Sequence, residues 1–130
     1  MCIRDRLDSY KSVARARVEQ LMKMPKDMTF TDAASLPTAA ATVYYSLCEV
    51  ARLQEGESVL IHAASGGTGQ AAIQLSLSIG AEIFATVGSL PKKKLLMDVY
   101  GIAEDHIFYS RDTSFAALSL IHISEPTRPY

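Results

Sequence analysis

Residues Ala64-Ser65-Gly66-Gly67-Thr68-Gly69 follow the apolar run Ser58-Val59-Leu60-Ile61-His62-Ala63. An apolar run that opens into glycines and then into Gln70-Ala71-Ala72-Ile73 reads as strand, turn and helix. The unpaired N–H groups and the dipole at such a helix start favour negative charge, so the chemistry on offer is phosphate binding. Glycine suits that role because a side chain at the closest backbone positions would block the phosphate. Against the pattern Gly-x-Gly-x-x-Gly, Ala64 stands first while Gly66 and Gly69 fall in place, so this is a variant motif. The Walker pattern does not fit, since no Gly-Lys-Ser/Thr follows at the required spacing. The competing reading is a glycine turn chosen only to let a helix pack closely on a strand.

A second group of residues bears on which nucleotide such a turn would take. NAD sites place an Asp or Glu at the end of the second strand, about 20 residues beyond the glycines, to hold the ribose hydroxyls. Here the corresponding stretch ends Thr86-Val87-Gly88-Ser89, without an acid, and Lys92, Lys93 and Lys94 follow. A hydroxyl with ammonium groups nearby suits the 2′-phosphate of NADPH, which a carboxylate would repel. The competing reading is a solvated basic helix start, where lysines sit against the helix dipole.

The elements that must position these residues alternate along the chain. Thr29 followed by Asp32 has capping-box spacing and predicts a short helix through Leu36. Pro37 is expected to open a second helix, in which Ala40, Val43, Tyr44, Leu47, Val50 and Ala51 form one apolar face and Gly56 ends the unit. Strand signals follow at 58–63. Residues 68–79 are ambiguous, because Gln74 to Ile79 alternates with period two, but the preceding glycines and the cap at Gly80 favour helix. A strand over Glu82 to Val87, a helix over Lys92 to Val99 and a strand over Ile107 to Tyr109 complete the series. The fold class is therefore α/β: the first βαβαβ half of a doubly wound parallel sheet, a partial Rossmann domain, preceded by two helices.

Composition excludes several classes. With 13 Lys+Arg against 14 Asp+Glu and a net charge of −1, there is no electrostatic case for nucleic acid or a membrane surface. No apolar stretch approaches the roughly 18 residues of a membrane-spanning helix. Apart from Cys2 near the start, Cys48 is the lone thiol and favours a reduced, cytoplasmic setting; in its apolar helical stretch it reads as core rather than nucleophile. No Cys or His pair has metal-ligand spacing. His62 and His106 read as partly buried strand histidines. The termini have a separate origin on this reading. A DNA string encoding Met1 to Arg6 has a reverse complement encoding Leu-Ser-Leu-Ile-His-Ile, which is Leu118 to Ile123. Residues 1–6 and 118–130 are therefore expected to be read-through of a short sequencing adapter, and about 7–117 an internal piece of a longer coding sequence.

The blocks LPTAAATVYYSL (36–47), LQEGESVLIHAASGGTGQAAIQL (53–75), GAEIFATVGS (80–89) and HIFYSRDTSFA (106–116) resemble, in order, the enoylreductase domain of fatty acid and reducing polyketide synthases. That domain belongs to the medium-chain dehydrogenase/reductase superfamily. The resemblance implies NADPH-dependent reduction of an α,β-unsaturated thioester held on an acyl carrier protein, in a dimeric parent without catalytic zinc. It implies that residues 7–28 end a GroES-like substrate domain and 29–117 begin the NADP-binding domain, with three further strands beyond Phe115. By the same likeness Ala64, Ser65, Gly66, Gly67, Thr68 and Gly69 would line the pyrophosphate. Ser89 and Lys92, the latter matching the lysine of a Gly-Ser-x-x-Lys stretch, would meet the 2′-phosphate. Thr42 would lie near the nicotinamide or pack in the core. No catalytic acid is assigned, and the chain alone is expected to bind NADPH weakly without turnover. The alternatives are a free-standing quinone oxidoreductase of the same superfamily and a non-enzymatic nucleotide-binding module.

Overall fold

The computed structural model of the chain describes residues 12–13 and 17–111. The adapter-like ends expected at 1–6 and 118–130 lie outside the described residues, as does part of the 7–28 stretch. After a short 3-10 turn at Val18–Gln20, helix α1 (Phe30–Tyr44) passes directly into a π-helical turn at Tyr45–Val50. Strand β1 (Ser58–Ile61), helix α2 (Gly67–Ile79), strand β2 (Glu82–Val87), helix α3 (Leu90–Tyr100), a 3-10 turn (Glu104–His106) and strand β3 (Ile107–Tyr109) follow. The three strands are parallel in the order β1-β2-β3, with Ile61 opposite Ala85 and Ala85 opposite Ile107. This is the α/β, Rossmann-like half-sheet that the alternation predicts.

The central strand explains the core. β2 is covered on both faces, and Ile83, Ala85, Thr86 and Val87 are all buried, as expected of a parallel sheet with crossover helices. Ile73 of α2 and Leu96 of α3 are fully buried and pack in the same cluster. α2 is a helix despite the alternation at its end. As a strand, 74–79 would put Leu75, Leu77 and Ile79 on one face. In the helix Leu77 is exposed, and Ile73 and Ser76, three residues apart, point inward instead. Gly80 closes the helix at φ 85°, its N–H donating to the Ser76 and Leu77 carbonyls.

Four expectations are corrected. Pro37 does not divide two helices: α1 runs through it, with buried Ala33 before it and buried Val43 after it. Proline within a helix forgoes one backbone donor and costs about 3 kcal/mol, and packing of α1 against α2 outweighs that local rule. The apolar face predicted for this region is only partly covered, since Val43 is buried while Tyr44 and Val50 are 56% and 65% exposed. β1 stops at Ile61, which leaves His62 just beyond the strand and exposed. His106 is half-buried as expected but closes a 3-10 turn before β3, its ring 4.3 Å from that of Phe84 and its Nδ1 3.2 Å from the Ile83 carbonyl. Cys48 is a half-buried thiol within the π-helical turn.

Candidate functional site

Where β1 ends, the chain makes a tight turn into α2. Ala63 adopts φ 51°, a left-handed conformation unusual for a residue with a β-carbon. Ala64 is fully buried and its N–H donates to the Thr86 carbonyl at 3.0 Å, while Gly66 N–H donates back to the Ala63 carbonyl at 2.9 Å. Gly66 is the N-cap of α2 in extended geometry, and no side chain caps the helix. The first-turn N–H groups of a helix have no intrahelical acceptor, and no acidic side chain occupies this first turn. The arrangement is an electropositive, uncapped helix start at the C-terminal end of the sheet, where open α/β sheets bind ligands.

The glycines divide between the two readings of the motif. A β-carbon on Gly69 would lie 2.6 Å from Ala64 Cα and 2.7 Å from the Ala63 carbonyl oxygen, so this glycine is required for α2 to pack against the turn. One on Gly66 would lie 3.3 Å from the same oxygen, a tight but relievable contact. Gly67 is different: a β-carbon there would meet nothing within 4 Å, and its backbone needs no positive φ. Packing accounts for Gly69, and nothing among the described residues accounts for Gly67. Ala64 and Gly69 are buried, Ser65 is half-buried, and Gly66, Gly67 and Thr68 face solvent.

Three side chains missed in the sequence hold the turn from behind. Gln70 Nε2 donates to the Ser65 carbonyl at 2.9 Å, and Tyr100 Oη donates to Gln70 Oε1 at 2.8 Å, which ties α3 to the glycine turn through α2. From β2, Thr86 Oγ1 lies 3.3 Å from Ala63 N and 3.1 Å from His62 Nδ1. Thr86 had a signal, being a hydroxyl within a run otherwise buried and apolar. Gln70 and Tyr100, separated by 30 positions, had none.

The second group forms where β2 leaves the sheet. Ser89 is the N-cap of α3, yet its hydroxyl makes no capping bond and no acid sits in the first turn. The three lysines separate. Lys93 Nζ is 3.3 Å from Glu104 Oε1 and 5.8 Å from the centre of the Tyr109 ring, with its side chain only 13% exposed. Lys92 and Lys94 remain in solvent. Thr42 stands apart on α1 with its side chain exposed, so the structure does not place it in the core. Among the described residues no group of three His, Cys, Asp or Glu could hold a metal, and no helix is long and apolar enough to cross a membrane.

Over 104 residues, 80% of its length, the chain is 59% identical to a highly reducing polyketide synthase of Talaromyces stipitatus, of which it spans 4%. Its relatives are reducing polyketide synthases. Its structural neighbours include enoyl reductases and an enoyl reductase domain of a polyketide synthase. The CurK enoyl reductase superposes with a TM-score of 0.71 at 43% identity, covering 84% of this chain and 32% of that one. A quinone oxidoreductase of Thermus thermophilus, solved also in complex with NADPH, superposes with a TM-score of 0.66 at 25% identity over 78% of this chain and 33% of its own. No protein-family model matches the chain. The chain thus spans only a small part of the synthases it matches, and over about four-fifths of its length it is similar to polyketide synthases in sequence and to an enoyl reductase in fold.

Proposed function

We propose that this chain carries the pyrophosphate and 2′-phosphate subsites of an NADPH-dependent enoyl reductase domain, whose parent reduces an α,β-unsaturated acyl thioester on an acyl carrier protein. Gly67 carries the reading: the fold leaves room for a β-carbon there, so its absence serves something that approaches from outside. The start of α2 at Gly66, Gly67, Thr68 and Gly69, with Ala64 and Ser65 beneath it, would receive the pyrophosphate on backbone N–H groups. The uncommitted Ser89 hydroxyl and Lys92 would take the 2′-phosphate, with no carboxylate at the end of β2 to oppose it. Thr42 would border the nicotinamide. When bound, NADPH supplies the hydride, delivered to the β-carbon of the thioester while a proton reaches the α-carbon. The proton donor belongs to parts of the parent outside these residues, as do the dimer contacts and all of the substrate domain but its last stretch, 7–28. We place the parent in the cytoplasm.

Amide chemical shifts of the 130-residue chain, followed during titration with NADPH, test this. Shifts centred on Gly66 to Gly69 and Ser89, larger with NADPH than with NADH and without enoyl-thioester turnover, are the expected result. Shifts elsewhere, equal responses to both nucleotides, or robust turnover by the chain alone would each overturn part of the reading.

A further inference from the structure

The turn that starts α2 is an unfavourable piece of backbone, and one side chain from the neighbouring strand secures it. Ala63 sits at φ 51° at the point where β1 has stopped pairing. The register puts Thr86 beside that point, one residue past the Ile61–Ala85 pair. Thr86 is fully buried, and three consecutive turn residues bear on it. Ala63 N–H donates to its hydroxyl at 3.3 Å, Ala64 N–H donates to its carbonyl at 3.0 Å, and its hydroxyl lies 3.1 Å from His62 Nδ1. With one lone pair accepting from Ala63, the hydroxyl proton is available to the imidazole. The consequence reaches the helix, because the Ala63 carbonyl accepts from Gly66 N–H at 2.9 Å and is the atom that a β-carbon on Gly69 would strike at 2.7 Å. Fixing Ala63 therefore fixes where the first turn of α2 begins.

We infer that Thr86 is a positioning residue for the phosphate turn: its hydroxyl holds Ala63 in the left-handed conformation and so sets the aim of the α2 N–H groups. Its effect on cofactor rests on the reading proposed above, whereas its hold on the turn does not. Valine at this position keeps the shape and removes the hydroxyl, and serine keeps the hydroxyl, so the two substitutions separate positioning from packing. The experiment measures amide hydrogen exchange and NADPH affinity in the 130-residue chain and in its Thr86→Val and Thr86→Ser variants. In Thr86→Val the Ala63 amide is expected to exchange about tenfold faster and NADPH to bind about tenfold more weakly, as for loss of one buried hydrogen bond. The Ser110 amide, which donates to Val87 on the far side of β2, keeps its protection. Thr86→Ser restores both. Unchanged Ala63 exchange in Thr86→Val, or accelerated exchange spread evenly to Ser110, would overturn the inference. If Thr86→Val does not fold, the wild-type chain still decides: a protected Ala63 amide supports the bond and an unprotected one refutes it. Should the wild type fail to bind NADPH at the turn, the cofactor reading falls while the exchange comparison still judges Thr86.

Discussion

α1 and α2 begin from nearly the same backbone and finish the task differently. The residue before α1, Thr29, has φ −74° and ψ 157°, and the residue before α2, Gly66, has φ −77° and ψ 166°. At α1 the Thr29 hydroxyl accepts from Asp32 N–H at 3.1 Å and donates to the Asp32 carboxylate at 2.6 Å, with that acid also placed against the helix dipole. At α2 there is no capping side chain and no acid. Backbone geometry alone therefore does not tell the capped start from the uncapped one; side chains do. α3 belongs with α2, since Ser89 is of a type that caps well yet makes no capping bond.

The largest expected effect lies within α2 itself. Gly69→Ala would push a methyl group into the Ala63 and Ala64 backbone at 2.6 to 2.7 Å. Because backbone cannot swing aside as a side chain can, a loss of about 3 kcal/mol is expected, read as a collapse of the thermal transition. An unaltered transition would mean that the turn and helix do not pack as described. Next comes the cofactor side. Lys92→Ala is expected to remove about 2 kcal/mol of NADPH affinity, roughly thirtyfold, and to leave NADH binding as it was. Lys93→Ala is the control, because its ammonium already faces Glu104. Equal losses from the two substitutions would show a general basic surface rather than a subsite.

Gly67→Ala sharpens the contrast further. With nothing within 4 Å of the added carbon, thermal stability should not fall. NADPH affinity should drop about tenfold, or about 1.4 kcal/mol, because the methyl stands where the phosphate approaches. Gly67 and Gly69 differ by two positions and would then fail in opposite assays, one in binding and the other in folding. If Gly67→Ala bound NADPH as the wild type does, the strongest support for the proposed site would be gone.

How much of this was legible in the sequence follows from how local each determinant is. β2 and β3 stand at the predicted Glu82–Val87 and Ile107–Tyr109, because β-prone runs bounded by Gly80, Gly88 and Gly101 leave few alternatives. The turn into α2 was legible for the same reason. The division of labour between Gly67 and Gly69 was not, since only the distance to Ala63 and Ala64 separates them. Pro37 misled because its helix-breaking tendency is local, while the packing that carries α1 through it joins segments far apart in sequence. Thr86 and His62, 24 positions apart, meet only after β1 and β2 have paired.

The smallest predicted effect tests the other half of the comparison. Thr29→Ala removes a cap whose loss typically costs about 1 kcal/mol, enough to shift the melting temperature of a 130-residue chain by about 4 °C. The Asp32 carboxylate stays near the helix start, so the dipole interaction is retained and the loss should fall no further. NADPH affinity should be unchanged, because the substitution lies at the start of α1 while the proposed phosphate contacts lie at the starts of α2 and α3. A Thr29→Ala chain that weakened nucleotide binding at constant fold would show the two helix starts to be coupled through the α1–α2 packing. One that lost stability alone would show that the capped start of α1 serves the fold and not nucleotide binding.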